Sequence, residues 1–147
     1  MRRVDYMIGP KEFASLTAEQ FMQDAVWHYT VSNTGEMLAQ TLIDGGFGSV
    51  PIVAKDGTVV GIVSEFDLLN AVLEGRDLAE VTAEEMMTKD CVVVHLETPA
   101  IEILQLLQQH YLIRVPVVDT EGRLVGVVAR RDLLLGYLRA TEGIWTF

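Results

Sequence analysis

Sliding the 147-residue chain along itself by 65 positions lays residues 17–73 on residues 82–138 without a gap. Thr17-Ala18-Glu19 falls on Thr82-Ala83-Glu84, Met22 on Met87, and Val50-Pro51 on Val115-Pro116. Gly57 and Gly61 fall on Gly122 and Gly126, and Asp67-Leu68-Leu69 on Asp132-Leu133-Leu134. Of the 57 aligned positions 17 are identical, several of them at turns, where backbone geometry restricts residue type. Self-similarity at a fixed period marks a repeat architecture. Two copies do not build a long solenoid; they build two halves that bury their apolar faces against each other.

Both halves predict the same order of elements. A short helix, at 17–23 or 82–87, opens on a Thr-x-x-Gln/Glu capping pattern. A brief apolar strand follows, at 26–30 or 92–95. The next helix is amphipathic. In the first half it starts near Asn33-Thr34, with Glu36 placed for a capping box, and runs to about Asp44. In the second, Thr98 caps it, Pro99 takes the first helical position, and Ala100, Leu104 and Leu107 share a face. Two strands then flank a turn: 50–54 and 59–64 around Lys55-Asp56-Gly57, and 115–119 and 124–129 around Thr120-Glu121-Gly122. A last helix begins near Glu65 or Arg130. The order is β-α-β-β-α, twice. Residues 1–16 form an N-terminal extension with a short helix at about 10–16. The first repeat spans 17–75, the linker 76–81, the second repeat 82–140 and the tail 141–147.

Composition limits the function classes. Half the residues are apolar, enough for a sizeable core, and the net charge is −10. Such a balance repels nucleic acids and anionic lipid surfaces unless the few cations cluster. No apolar run is long enough to span a bilayer, and residues 1–10 lack a signal peptide's apolar core. One cysteine, Cys91, excludes an intrachain disulfide. It fits a reducing cytoplasm and reads as a core thiol. His28, His95 and His110 show no metal-ligand spacing with each other or with Cys91. Nucleophile-elbow, Walker-type and zincin motifs are absent, so the chain does not read as an enzyme. Residues 45–48, Gly-Gly-Phe-Gly, follow a helix and precede a strand, the context of a helix C-cap rather than a phosphate loop. Met7, Met22, Met37, Met86 and Met87 read as filler for irregular gaps.

The Val-Pro-h-Val strand (h being apolar), the Asp/Glu-Gly turn and the Gly-h-h-x-x-x-Asp-Leu stretch (from Gly61 to Asp67 and from Gly126 to Asp132) resemble the CBS domain. The tandem pair resembles a Bateman module, over residues 17 to 138. The resemblance implies an α+β fold in which two β-α-β-β-α repeats pack their three-stranded sheets about a pseudo-twofold axis. It implies two clefts that hold adenosine-bearing ligands such as AMP, ADP, ATP, S-adenosylmethionine or NAD, and no intrinsic cofactor. It also implies a homodimer, and regulation of an effector protein. Residues 1–16 and 139–147 are too short for an effector domain, so a stand-alone version is expected.

Residue by residue, the resemblance carries over unequally. For the cleft of the first repeat it implies Ser64, Asp67, Ile62 and Ser49, with a base pocket from Met87, Val92 and Leu112. For the second it implies Asp132, Val127 and Arg114, with a base pocket from Met22, Trp27 and Phe47. The Asp accepts ribose hydroxyls, and a Ser or Thr three residues before it helps to hold phosphate at the helix N-terminus. Ala129 replaces that Ser in the second repeat, while Arg114 and Arg130 supply cations that the first repeat lacks. Residues 17–81 carry only Lys55 and Arg76 against ten acids; residues 82–147 carry six cations against nine. A phosphorylated nucleotide is therefore expected at Arg114, and a less anionic adenosyl ligand, or none, at Ser64/Asp67.

Plainer readings stay open. Ser64-x-x-Asp67 is also a helix cap, and Asp132 is also plain first-turn charge. Arg114 also suits a salt bridge to a nearby acid, and Arg130 and Arg131 a solvated face. Trp27 and Phe47 also suit the core. A structural dimerisation module without ligand is the alternative function. The last helix, with Leu133, Leu134, Leu135, Tyr137 and Leu138, is apolar on more than one face, which points to a twofold homodimer.

Overall fold

A computed structural model describes residues 10–24 and 29–141. Met7, Trp27, His28, the first residues of the 26–30 strand and residues 142–147 lie outside the described residues. In chain order the elements are α1 (Pro10–Ser15), α2 (Ala18–Phe21), β1 (Gln23–Asp24), β2 (Tyr29–Thr30), α3 (Gly35–Gly45), β3 (Ser49–Val53) and β4 (Val59–Ser64). Then come α4 (Glu65–Leu73), α5 (Ala83–Met86), β5 (Val94–His95), α6 (Ala100–Gln109), β6 (Arg114–Val118), β7 (Leu124–Ala129) and α7 (Arg130–Thr141).

Local chemistry explains most boundaries. Gln20 Oε1 accepts from the Thr17 N–H at 2.9 Å, and Glu85 Oε1 from the Thr82 N–H at 3.1 Å. Each bond satisfies a donor that a helix start leaves open. Two starts differ from expectation. In α3, Thr34 is the cap and accepts from the Met37 N–H at 3.3 Å. Met37, not Glu36, therefore sits at the capping-box position. Asn33 instead turns back to accept from the Thr30 N–H at 2.7 Å. In α6 the cap is Pro99 itself. Thr98 Oγ1 is taken by the His95 N–H at 2.9 Å, which shapes the turn out of β5. At the other end of α3, Gly46 adopts φ +66° and sends its N–H back to the Leu42 carbonyl, so the glycine run is a helix stop. The aligned residue after α6 is Tyr111, at φ +53°, a conformation that costs a non-glycine residue about 1 kcal/mol. At the β3–β4 turn, Asp56 Oδ1 accepts from the Thr58 N–H and hydroxyl at 3.1 and 2.8 Å, which holds its carboxyl below the ordinary range.

The chain forms two compact units that cut across the repeats. Unit 1 gathers α1, α2 and β1 with the main body of the second repeat. Its four-stranded sheet has the order β1-β7-β6-β5, with β1 antiparallel to β7 and β5 parallel to β6. Unit 2 gathers the body of the first repeat with α5, on a three-stranded sheet of order β2-β3-β4. Each opening helix therefore packs on the body of the other repeat. The fourth strand is a small departure from two equal sheets. Gln23 and Asp24 pair with Val127 and Gly126, whereas the aligned Thr88 makes only a single bridge to Ile62.

The exchange is tied by backbone hydrogen bonds. In unit 1 the Ala18 N–H donates to Thr98 O at 2.8 Å, and the Ala100 N–H to Leu16 O at 2.6 Å. In unit 2 the aligned bonds run from the Ala83 N–H to Asn33 O and from the Gly35 N–H to Val81 O, both 2.8 Å. Small residues let the backbones meet there: Ala18, Ala83 and Ala100 are fully buried. Phe13, Phe21, Ile103, Leu107, Val115, Val117 and Leu133 fill the core of unit 1, and Phe13 meets Phe21 and Tyr137 edge to face. Leu38, Leu42, Val50, Ile52, Val63 and Leu68 fill that of unit 2.

The strand glycines of the repeat have a steric cause. A Cβ on Gly126 would lie 2.6 Å from Met22 Sδ and 2.8 Å from Gln23 O. A Cβ on Gly61 would lie 2.6 Å from Met87 Sδ and 2.9 Å from Thr88 O. Gly61→Ala and Gly126→Ala are each expected to lower stability by about 1–3 kcal/mol through overpacking against backbone. Denaturant unfolding of the two variants checks this; unchanged midpoints would show that the crossing segments yield freely.

Candidate functional site

The sharpest feature shared by the units is a carboxylate at a strand-to-helix junction. In unit 2, β4 ends at Ser64 and α4 starts at Glu65. Asp67 Oδ2 accepts from the Ser64 N–H at 2.8 Å and from its hydroxyl at 3.0 Å, while Ser64 Oγ accepts from the Asp67 N–H at 3.2 Å. This is a complete capping box. It occupies one carboxylate oxygen of Asp67, so capping and ligand binding are compatible at this residue. Ser49 stands opposite Ser64 in the β3–β4 register, and Ile62 opposite Pro51. Ile62 exchanges both backbone bonds with Thr88, at 3.0 and 2.9 Å, next to Met87. Ser49, Ile62, Ser64, Asp67 and Met87 thus belong to one unit, and all are half-buried.

Unit 1 repeats the junction without the serine. The Ala129 N–H donates to Asp132 Oδ2 at 2.8 Å, which is half of the box. The other oxygen, Oδ1, accepts from Gln23 Nε2 at 3.0 Å. Gln23 stands opposite Val127, and Met22 lies against Gly126. Burial pulls the Arg114 guanidinium below its ordinary range, and the Asp132 carboxylate pulls the other way. Met22, Arg114, Val127 and Asp132 are half-buried, while Arg130 is exposed and sends its backbone N–H to Ile113 O at 2.9 Å.

The remaining candidates pack on the cores of their own units. Val92 and Leu112 lie against the core of unit 1, and Phe47 against that of unit 2, where it closes over Gly45. Trp27 lies outside the described residues.

Two features escaped the sequence reading. Gln23 follows the aligned Met22, but its twin is Thr88, so the repeat gave no reason to single it out. The second feature is an open polar depression of about 190 Å³ in unit 2, lined by Asp67, Asn70, Ala71, Glu74, Arg76, Glu85 and Met86. Arg76 pairs there with Glu85 and holds its carboxyl below the ordinary range. In the sequence Arg76 is one of two cations in residues 17–81 and falls in the linker segment 76–81, away from the repeated motifs.

The chemistry available is recognition of polar groups. Each junction offers a fixed carboxylate acceptor beside backbone donors, and the two differ in nearby charge. Among the described residues no group of three or more His, Cys, Asp or Glu side chains is gathered as a metal site would require. Burial pushes the Cys91 thiol above its ordinary value, unlike a reactive thiolate. No described helix is long and apolar enough to cross a membrane.

Comparison with known proteins agrees with this arrangement. The family model described as CBS domain matches residues 18–74 and again 83–139. The uncharacterized protein MK0525 of Methanopyrus kandleri is 31% identical over 70% of the chain, and the match spans 53% of that protein. The chain thus spans about half the length of that relative. Hypoxic Response Protein I, solved with two coordinated zinc ions, superposes with a TM-score of 0.75 at 27% identity, covering 82% of this chain and 98% of that one. CBSX2, solved in complex with AMP and known from Arabidopsis thaliana, gives 0.73 at 25%, covering 84% and 96%.

The unequal caps carry a stability prediction. Ser64→Ala is expected to cost about 1 kcal/mol, and Ala129→Ser to gain up to about the same by completing the second box. Thermal unfolding of both variants checks the pair; a loss on Ala129→Ser would mean the hydroxyl does not reach the Asp132 N–H.

Proposed function

The chain belongs to the CBS domain family and carries that domain twice in tandem, and on this premise we propose a regulatory module that binds an adenosine-bearing small molecule and catalyses nothing. One observation carries the reading: the same half-buried carboxylate, Asp67 or Asp132, is fixed at the same strand-to-helix junction in both repeats. A carboxylate held by backbone N–H is pre-oriented to accept the two hydroxyls of a ribose. The AMP complex of CBSX2 supports an adenine nucleotide. AMP, ADP or ATP fits best; S-adenosylmethionine and NAD share the adenosyl group.

The two sites divide the work. Unit 1 holds both Arg114 and Asp132, with Arg130 exposed at the start of α7. It is the site for a phosphorylated nucleotide, because a phosphate needs compensating charge. A ribose there takes over Asp132 Oδ1 from the Gln23 amide. Val127 and Met22 line this site. In unit 2, Ser49, Ile62, Ser64, Asp67 and Met87 belong to a junction where, among the described residues, the nearby guanidinium of Arg76 is engaged by Glu85. It suits an adenosyl group with less negative charge. Val92, Leu112, Phe47 and Trp27 are the base-pocket candidates. The module acts as a homodimer in the cytoplasm, and ligand occupancy changes its fit to an effector protein.

Purely structural dimerisation is the second reading, favoured by the apolar side chains left exposed on α4 and α7. Thermal shift separates the two. A ligand at a hundred times its dissociation constant stabilises the native state by about 2.7 kcal/mol, so AMP or ATP raises the melting temperature. No shift with AMP, ADP, ATP, NAD or S-adenosylmethionine would favour the structural reading. Calorimetry then tests the division: Arg114→Ala weakens AMP binding by roughly tenfold, the loss expected for one charged contact, and Asp67→Ala weakens it far less. Equal losses would sink the asymmetry.

A further inference from the structure

The two junctions differ in what occupies the carboxylate. In unit 1, Asp132 uses both oxygens: Oδ2 accepts from the Ala129 N–H at 2.8 Å, and Oδ1 accepts from Gln23 Nε2 at 3.0 Å. In unit 2, Ser64 supplies both bonds to Asp67 Oδ2, and among the described residues none is made to its Oδ1. The repeat sets Thr88 at the place of Gln23, opposite Ile62 as Gln23 is opposite Val127. A threonine ends at its β-carbon, whereas a glutamine carries its amide two carbons further. The amide contact is thus a property of unit 1, which holds Gln23, Val127, Ala129 and Asp132 together.

The backbone and the side chain of Gln23 are separately held. The backbone pairs β1 with β7, antiparallel, at Gln23–Val127 and Asp24–Gly126. The side chain is exposed, while Asp132 is half-buried. A released amide therefore turns into water and is rehydrated there, with the strand pairing left in place. Such an exchange replaces one hydrogen bond by another, so its net cost is modest. It is not zero, because a carboxylate acceptor makes a stronger bond than a neutral one.

We propose that Gln23 is a built-in competitor for the ligand of unit 1. Its amide occupies the carboxylate oxygen that a ribose hydroxyl takes, and so sets how tightly an adenine nucleotide binds there. The competitor rests on the ribose-binding reading of Asp132 and adds the residue that opposes it. The apparent affinity falls by the fraction of molecules whose Asp132 is free of the amide. This reverses the usual sign of a truncation. Removing a residue that holds a ligand weakens binding; removing one that competes with it strengthens binding.

Calorimetry on the full chain, with AMP as the probe, tests the sign. Gln23→Ala should tighten AMP roughly three- to tenfold, the worth of one such hydrogen bond. With 2′,3′-dideoxy-AMP, which has no ribose hydroxyl to offer Asp132, wild type and Gln23→Ala should bind alike. Asp132→Ala should weaken AMP, and adding Gln23→Ala to it should change nothing further. Gln23 is exposed, and circular dichroism verifies that the fold is kept. AMP bound equally or more weakly by Gln23→Ala overturns the competitor. So does a gain that extends to the dideoxy nucleotide or persists without Asp132, since Gln23 would then act by its bulk. In each of these cases the ribose reading stands as long as Asp132→Ala weakens AMP. An affinity indifferent to Asp132→Ala, or no binding of AMP at all, overturns the ribose reading and the competitor with it.

Discussion

Everything in this structure depends on a backbone docking made twice. The segment that opens each repeat crosses the last strand of the other repeat's body, and only a hydrogen atom fits beneath it. Met22 and Gln23 pass over Gly126, and Met87 and Thr88 over Gly61. The hydrogen bonds of Ala18, Ala83, Ala100 and Gly35 then lock the helices in place. A side chain at either strand glycine would push backbone away from backbone, which a packed interior resists far more than it resists the loss of a surface contact. The same crossing sets Gln23 opposite Val127 and Thr88 opposite Ile62, at the edge of each junction that carries a carboxylate.

Those junctions show how one scaffold yields two chemistries. Both retain the aspartate, because it caps a helix whatever else it does. What varies is what it faces. Asp67 answers to Ser64, three residues before it. Asp132 answers to Ala129 and to Gln23, 109 positions away in the chain. Structural satisfaction and ligand readiness differ between the two even though the backbone does not.

Much of this was legible in the sequence. The 65-residue offset and the Asp/Glu-Gly turns placed β4, β7, α4 and α7 at their observed starts, and the threonine caps placed α2 and α5, since those boundaries are decided by neighbours within a few residues. The misses share a cause. Whether Thr34 or Asn33 caps α3, and whether Thr98 or Pro99 caps α6, depends on competing local donors that a pattern does not rank. The exchange of opening helices was invisible, because hydropathy marks which face is apolar and not whose body covers it. Gln23 and the Arg76–Glu85 pair were missed for a related reason: their partners lie 109 and 9 positions away, and neither pair falls on the repeat.

The exchange also bears on the order in which the chain can complete itself during synthesis. Unit 2 has its full set of helices and sheet strands once α5 has emerged. Unit 1 is built from both ends, so α1, α2 and β1 are made first and must wait for β5, α6, β6, β7 and α7. Until then the apolar faces of Phe13 and Phe21 have no core to join. A growing chain with such a gap exposes a sticky segment until the second repeat has been made. The same wiring means that one repeat made alone would present an opening helix with no body to receive it, except that of a second copy.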